Sequence, residues 1–129
     1  MKELEIPATP QDITPTWLTH ALQSTGTLTN SVVISVNASP LEAGKGYTTQ
    51  LARLSVSYDP PEPDAPLSLF CKLPTTHEET LSLAKRLGIY QREVRFYEQL
   101  ADKVPIRTPQ RYYSCYNSEN GDFVLLLKI

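Results

Sequence analysis

The sequence holds little that could bind a metal, cross a membrane or hold nucleic acid. Its 129 residues include two cysteines, two histidines, one tryptophan and one methionine. Cys71 and Cys115 each sit in an apolar, strand-like run with no histidine nearby, which makes a poor metal site. They read as two reduced, buried cysteines of a cytoplasmic protein, with a disulfide or metal pair as the alternative. Net charge is −2 and no basic run occurs, so nucleic acid is not the expected main partner, because phosphate binding needs clustered Lys and Arg. No apolar stretch approaches the length of a membrane span. The opening Met-Lys-Glu-Leu-Glu-Ile-Pro carries acidic residues and no long apolar core, unlike a secretory leader. Neither His20 nor His77 is followed two residues later by Asp. His77-Glu78 lacks the second histidine that a zinc-protease helix places four residues after the first.

What is present is the composition of one globular domain, with 40% hydrophobic and 20% charged residues. Thr14 and Pro15 form a helix start, with Ile13 and Leu18 placed as a staple across it. Trp17, Leu18, Ala21 and Leu22 share one face of that helix. Val32–Val36 is a β-branched strand, residues 39–48 a loop with two glycines, and Thr49–Tyr58 a longer strand. In that strand Ala52, Leu54, Val56 and Tyr58 alternate with Leu51, Arg53, Ser55 and Ser57. Asp59–Pro66 has four prolines in eight residues, which removes the donors that a ladder or helix needs. It reads as a stiff, exposed connection. Leu67–Leu73 is a buried strand and His77–Val104 a long helix with Gly88 as its candidate break. Tyr112–Tyr116 and Asp122–Lys128 are strands joined by a hairpin turn over Asn117–Gly121. Short connections favour an antiparallel sheet over βαβ units.

Three features carry chemistry. Gly44-Lys45-Gly46-Tyr47-Thr48 could turn backbone N–H groups toward an anion, or could be an ordinary turn between strands. It is not a Walker A loop, whose spacing is absent, nor a dinucleotide fingerprint, because a strand follows it and not a helix. Lys72 lies in the apolar run Leu67–Pro74, where its ammonium must be paired or reach solvent. On a wheel of about 100° per residue, Leu83, Leu87, Ile89, Tyr90, Val94, Phe96, Tyr97, Leu100 and Ala101 fill one arc. Glu93 falls within it, and a carboxylate there must be neutralised or paired. Lys72 is the natural partner and Arg86 a competing one. A glycine loop between strands, a strand lysine and a helix glutamate needing a cation form the layout of a kinase N-lobe.

The run Leu87–Leu100, with its Tyr-x-x-Glu-x-x-Phe-Tyr pattern over Tyr90–Tyr97, resembles a helix of the aminoglycoside-phosphotransferase-like enzymes, in particular the ecdysteroid-kinase-like and choline-kinase-like branch. Ile13–Leu18 resembles that branch's N-terminal helix, and Leu69–Pro74 its lysine-leucine-proline strand. Thr108–Tyr113 and Phe123–Leu127 resemble the two strands that lead to its hinge. The resemblance implies an ATP-dependent transfer of phosphate to a small-molecule hydroxyl. Lys72 would contact ATP phosphates, Glu93 would pair with it, and Gly44, Lys45, Gly46, Tyr47 and Thr48 would cover the phosphates.

The expected fold is α+β: a protein-kinase-like N-lobe with a five-stranded antiparallel sheet, one long helix and an N-terminal helix. The family's His-x-Asp catalytic loop and its Mg²⁺-binding Asp find no match in this sequence. The chain therefore reads as a single nucleotide-binding domain, truncated before the C-lobe and inactive alone, with a separate C-lobe or partner chain supplying the rest. Leu125-Leu126-Leu127 reads as uncovered, which favours truncation. Two alternatives stand beside this: a non-catalytic binding module, and a truncated product without function.

Overall fold

The computed structural model describes residues 4–42, 47–104 and 108–129. Thr14 opens the first helix: its hydroxyl accepts from Trp17 N at 3.0 Å, and Pro15 takes the first helical position. The resulting helix α1 spans Pro15–Ser24. Ile13 and Leu18 are buried in the same core, as a staple requires. The Trp17 indole donates to Glu5 O at 2.6 Å and meets Tyr113 edge-on at 5.8 Å, which holds the N-terminal segment on the sheet.

The strands are β1 (Val32–Glu42), β2 (Thr49–Asp59), β3 (Ser68–Pro74), β4 (Arg111–Tyr116) and β5 (Phe123–Lys128). They form one antiparallel sheet in the order β1-β2-β3-β5-β4. Strand β1 is longer than its β-branched residues indicated. Asn37 through Pro40 continue it by pairing with Ser55 through Ala52 of β2. These residues have weak strand preference alone, and the regular neighbouring strand supplies the template. Pro40 is tolerated because β1 lies on the sheet edge, where a missing N–H need not break a ladder. The Asp59–Pro66 connection is irregular, as expected, but less exposed, since Ala65 is buried in the core. The Glu62 carboxylate pins it by accepting from Thr29 N and Asn30 N, each at 3.1 Å. The Thr29 N–H, foremost, holds that carboxyl below its ordinary pKa.

The long helix is broken. Helix α2 spans Glu78–Arg86 and helix α3 Ile89–Arg95, followed by a π-helical turn over Phe96–Leu100 and a tight turn over Ala101–Lys103. Gly88 closes α2 in the left-handed region at φ +69° and then starts α3, its carbonyl accepting from Arg92 N at 3.1 Å. The single wheel therefore fails at both ends. Tyr90 and Val94 are buried, but Leu83, Leu87 and Leu100 are about half exposed. The break reorients α2, and the wide turn shifts the face after α3. A Cβ on Gly88 would meet nothing within 4 Å, so Gly88→Ala carries a backbone cost alone. The expected loss is about 1–2 kcal/mol, read as a lower denaturant midpoint with an unchanged slope.

Two core layers flank the sheet. On one side α1 packs over Leu54, Leu69, Cys71, Leu73, Val124 and Leu126. On the other, Tyr90, Val94 and Ala84 cover Phe123, Leu125 and Leu127. The expectation that Leu125–Leu127 are uncovered is thus corrected: all three are buried, because β5 is an inner strand with a layer on each face. The case for truncation drawn from them falls. Cys71 and Cys115 are both buried thiols, and burial pushes the Cys71 thiol up to about 12. The β4–β5 hairpin turns at Gly121, at φ +78°. It is tied to α2 by Lys85 Nζ to Asp122 Oδ1 at 3.0 Å. The architecture is the expected α+β fold of a kinase-like N-lobe.

Candidate functional site

Strand β3 sends alternate side chains to opposite faces. Leu69, Cys71 and Leu73 go to the α1 layer, which leaves Phe70 and Lys72 on the face that α3 covers. Lys72 lies between Leu51 of β2 and Leu125 of β5. Its Nζ donates to Glu93 Oε1 at 2.7 Å. The two side chains retain 28% and 23% of their exposure, so the pair is reachable from solvent. The competing cation, Arg86, is exposed at the end of α2. An ammonium has three donors. With one committed to Glu93, the others can serve an anionic ligand on the open side.

Tyr97 flanks this pair. Burial raises its phenol pKa, Lys72 draws it down and Glu93 raises it again, so both charges act on the ring. Tyr90, one turn before Glu93, is 1% exposed and stacks on Phe123 at 4.6 Å. Its hydroxyl donates to Thr48 O and accepts from Thr75 N at 3.3 Å. Burial, foremost, pushes this phenol up as well, so it remains protonated and able to donate.

Of the five residues expected to cover phosphates, Gly44, Lys45 and Gly46 lie outside the described residues. Tyr47 is exposed and Thr48 is half buried, one residue before β2. Thr48 O also accepts from Thr75 N at 3.2 Å. The structure thus brings Lys72 and Glu93 into direct contact and joins Thr48 to them through Tyr90.

Sequence reasoning missed two polar groups here. Tyr90 was placed on the apolar arc for its ring alone, although a buried phenol needs a partner. Gln50 falls in phase with the buried face of β2, and its amide donates to Ala8 O at 2.9 Å and Pro74 O at 2.8 Å. An amide at an even, inward position of an alternating strand was the available signal. Among the described residues no group of three or more His, Cys, Asp or Glu is placed to hold a metal. No helix among them is long and apolar enough to cross a membrane.

The family model for the ecdysteroid kinase-like family matches residues 43–113. That span is more than half of the chain and runs from the glycine segment through β2, β3, α2 and α3 into β4. The chain belongs to the ecdysteroid kinase-like family. Lys72 and Glu93 both fall inside the matched span, whereas α1, β1 and β5 lie outside it. Comparisons with curated proteins and with solved structures found no match. For an ecdysteroid kinase-like chain, a strand lysine neutralised by a helix glutamate is an arrangement that can bind phosphate oxygens without leaving a charge unpaired beforehand.

Proposed function

We propose that this chain is the nucleotide-binding lobe of an ATP-dependent phosphotransferase that phosphorylates a hydroxyl of a small molecule. The Lys72–Glu93 contact at 2.7 Å carries the reading. Lys72 donates to the α- and β-phosphates, Glu93 holds the ammonium in line, and the segment from Gly44 to Thr48 covers the phosphates. Phosphoryl transfer depends on positioning and charge compensation, and these residues contribute that half. The Mg²⁺ such a transfer uses is held largely by the nucleotide's own phosphates and water, with one or two carboxylates. The metal ligands, the catalytic base and the acceptor pocket come from a separate lobe or partner chain. Two buried thiols are in keeping with a cytoplasmic setting.

A titration series tests this. Adenosine, AMP, ADP and ATP are expected to bind the purified chain with rising affinity, the largest step coming where the second phosphate is added. Equal affinity for adenosine and ATP would remove the assignment of Lys72 to phosphate.

A further inference from the structure

The three parts of the proposed site meet at a single phenol. Thr48 ends the glycine segment, Thr75 lies three residues beyond Lys72, and Tyr90 lies three residues before Glu93. Tyr90 donates to the Thr48 carbonyl and accepts from the Thr75 N–H, which itself bonds Thr48 O. We infer that Tyr90 is a positioning residue, whose hydroxyl locks the glycine segment's end, the Lys72 strand and the Glu93 helix into one body. The inference rests on the nucleotide reading above and deepens it.

Packing does not account for the hydroxyl. A phenylalanine would stack on Phe123 and fill the same layer. A buried hydroxyl is costly unless satisfied, and among the described residues this one is satisfied by two backbone groups at the open end of the β2–β3 ladder. The separation also matters. Thr48 and Tyr90 are 42 residues apart, so no local structure brings them together. The Gln50 amide, bonded to Pro74 O, closes the same ladder end from the opposite face. What remains for Tyr90 is the helix-side tie, and through Glu93 that tie reaches the ammonium. Without it, Thr48 and α3 can shift independently, and Lys72 is aimed less well at the phosphates. The base and ribose make no use of that alignment.

The test is Tyr90→Phe, with affinities for ATP and adenosine measured on the wild-type and variant chains. The expected result is a loss of ATP affinity of about 3- to 10-fold, the worth of one hydrogen bond, with adenosine affinity unchanged. A purely structural role would weaken both ligands alike or neither, so an unchanged ATP-to-adenosine ratio overturns the role of Tyr90 while leaving the nucleotide reading intact. A wild-type chain that does not distinguish ATP from adenosine overturns both. A second measurement needs no variant: ATP is expected to slow hydrogen exchange at the Thr75 amide and adenosine is not. Equal slowing by the two ligands counts against the lock.

Discussion

Replacing Lys72 with Met is expected to weaken ATP binding about 10- to 150-fold, the range set by one hydrogen bond to a charged group at about 1.5–3 kcal/mol. The same change is expected to leave the fold nearly as stable as before. The two effects separate because of where the pair sits. Met keeps the stem that lies between Leu51 and Leu125 and removes only the ammonium. Glu93 then loses its partner but keeps 23% of its side-chain exposure, enough to be hydrated. A part-exposed pair of this kind contributes about 1 kcal/mol or less to stability. Calorimetric titration with ATP, beside a thermal melt of the same sample, checks both halves. Undiminished ATP affinity in the Met variant would remove Lys72 from the site. A collapse of the melting temperature would show instead that the pair is structural.

Leu126→Ala is expected to cost about 3–5 kcal/mol, within the range found when a buried leucine leaves a cavity that cannot close. Leu126 is fully buried on β5, paired with Cys71 on one side and Tyr113 on the other. It faces the α1 layer, whose members come from distant parts of the chain. For a domain of ordinary stability, about 5–15 kcal/mol in all, that loss is a large share of the total. Leu100→Ala makes the control. The helical wheel ranks Leu100 with the buried residues, yet it is 51% exposed, and its truncation should shift stability by no more than about 0.5 kcal/mol. Urea denaturation of the two variants side by side decides between the wheel and the packed structure. Equal losses would restore the single continuous helix.

Much of the site was legible because its logic is electrostatic. Glu93 stands out as a carboxylate among apolar neighbours, and Lys72 as an ammonium in an apolar strand. Each is unfavourable unless a partner of opposite charge is near, so Lys72 stands out as the partner of Glu93 without coordinates, and the structure decides against the competing Arg86, which is exposed. Gly88 was legible as a break because only glycine takes φ +69° at no steric cost. The role of Tyr90 was not legible in the same way. A tyrosine on a buried arc announces a need for a partner, but not that the partner is the backbone of Thr48, 42 residues earlier.

The sequence by itself determined the class of fold, the helix start at Thr14, the alternation of β2, the hairpin at Gly121 and the Lys72–Glu93 pair. All of these rest on local preferences, on a period read within one element, or on a charge that must be compensated. Only the tertiary structure decided how far β1 runs, which leucines are covered and what ties α3 to the start of β2. The reason is the same in each case. A strand's end depends on its neighbour's register, a residue's burial on which element lies across from it, and a hydrogen bond between distant segments on the whole sheet holding them together.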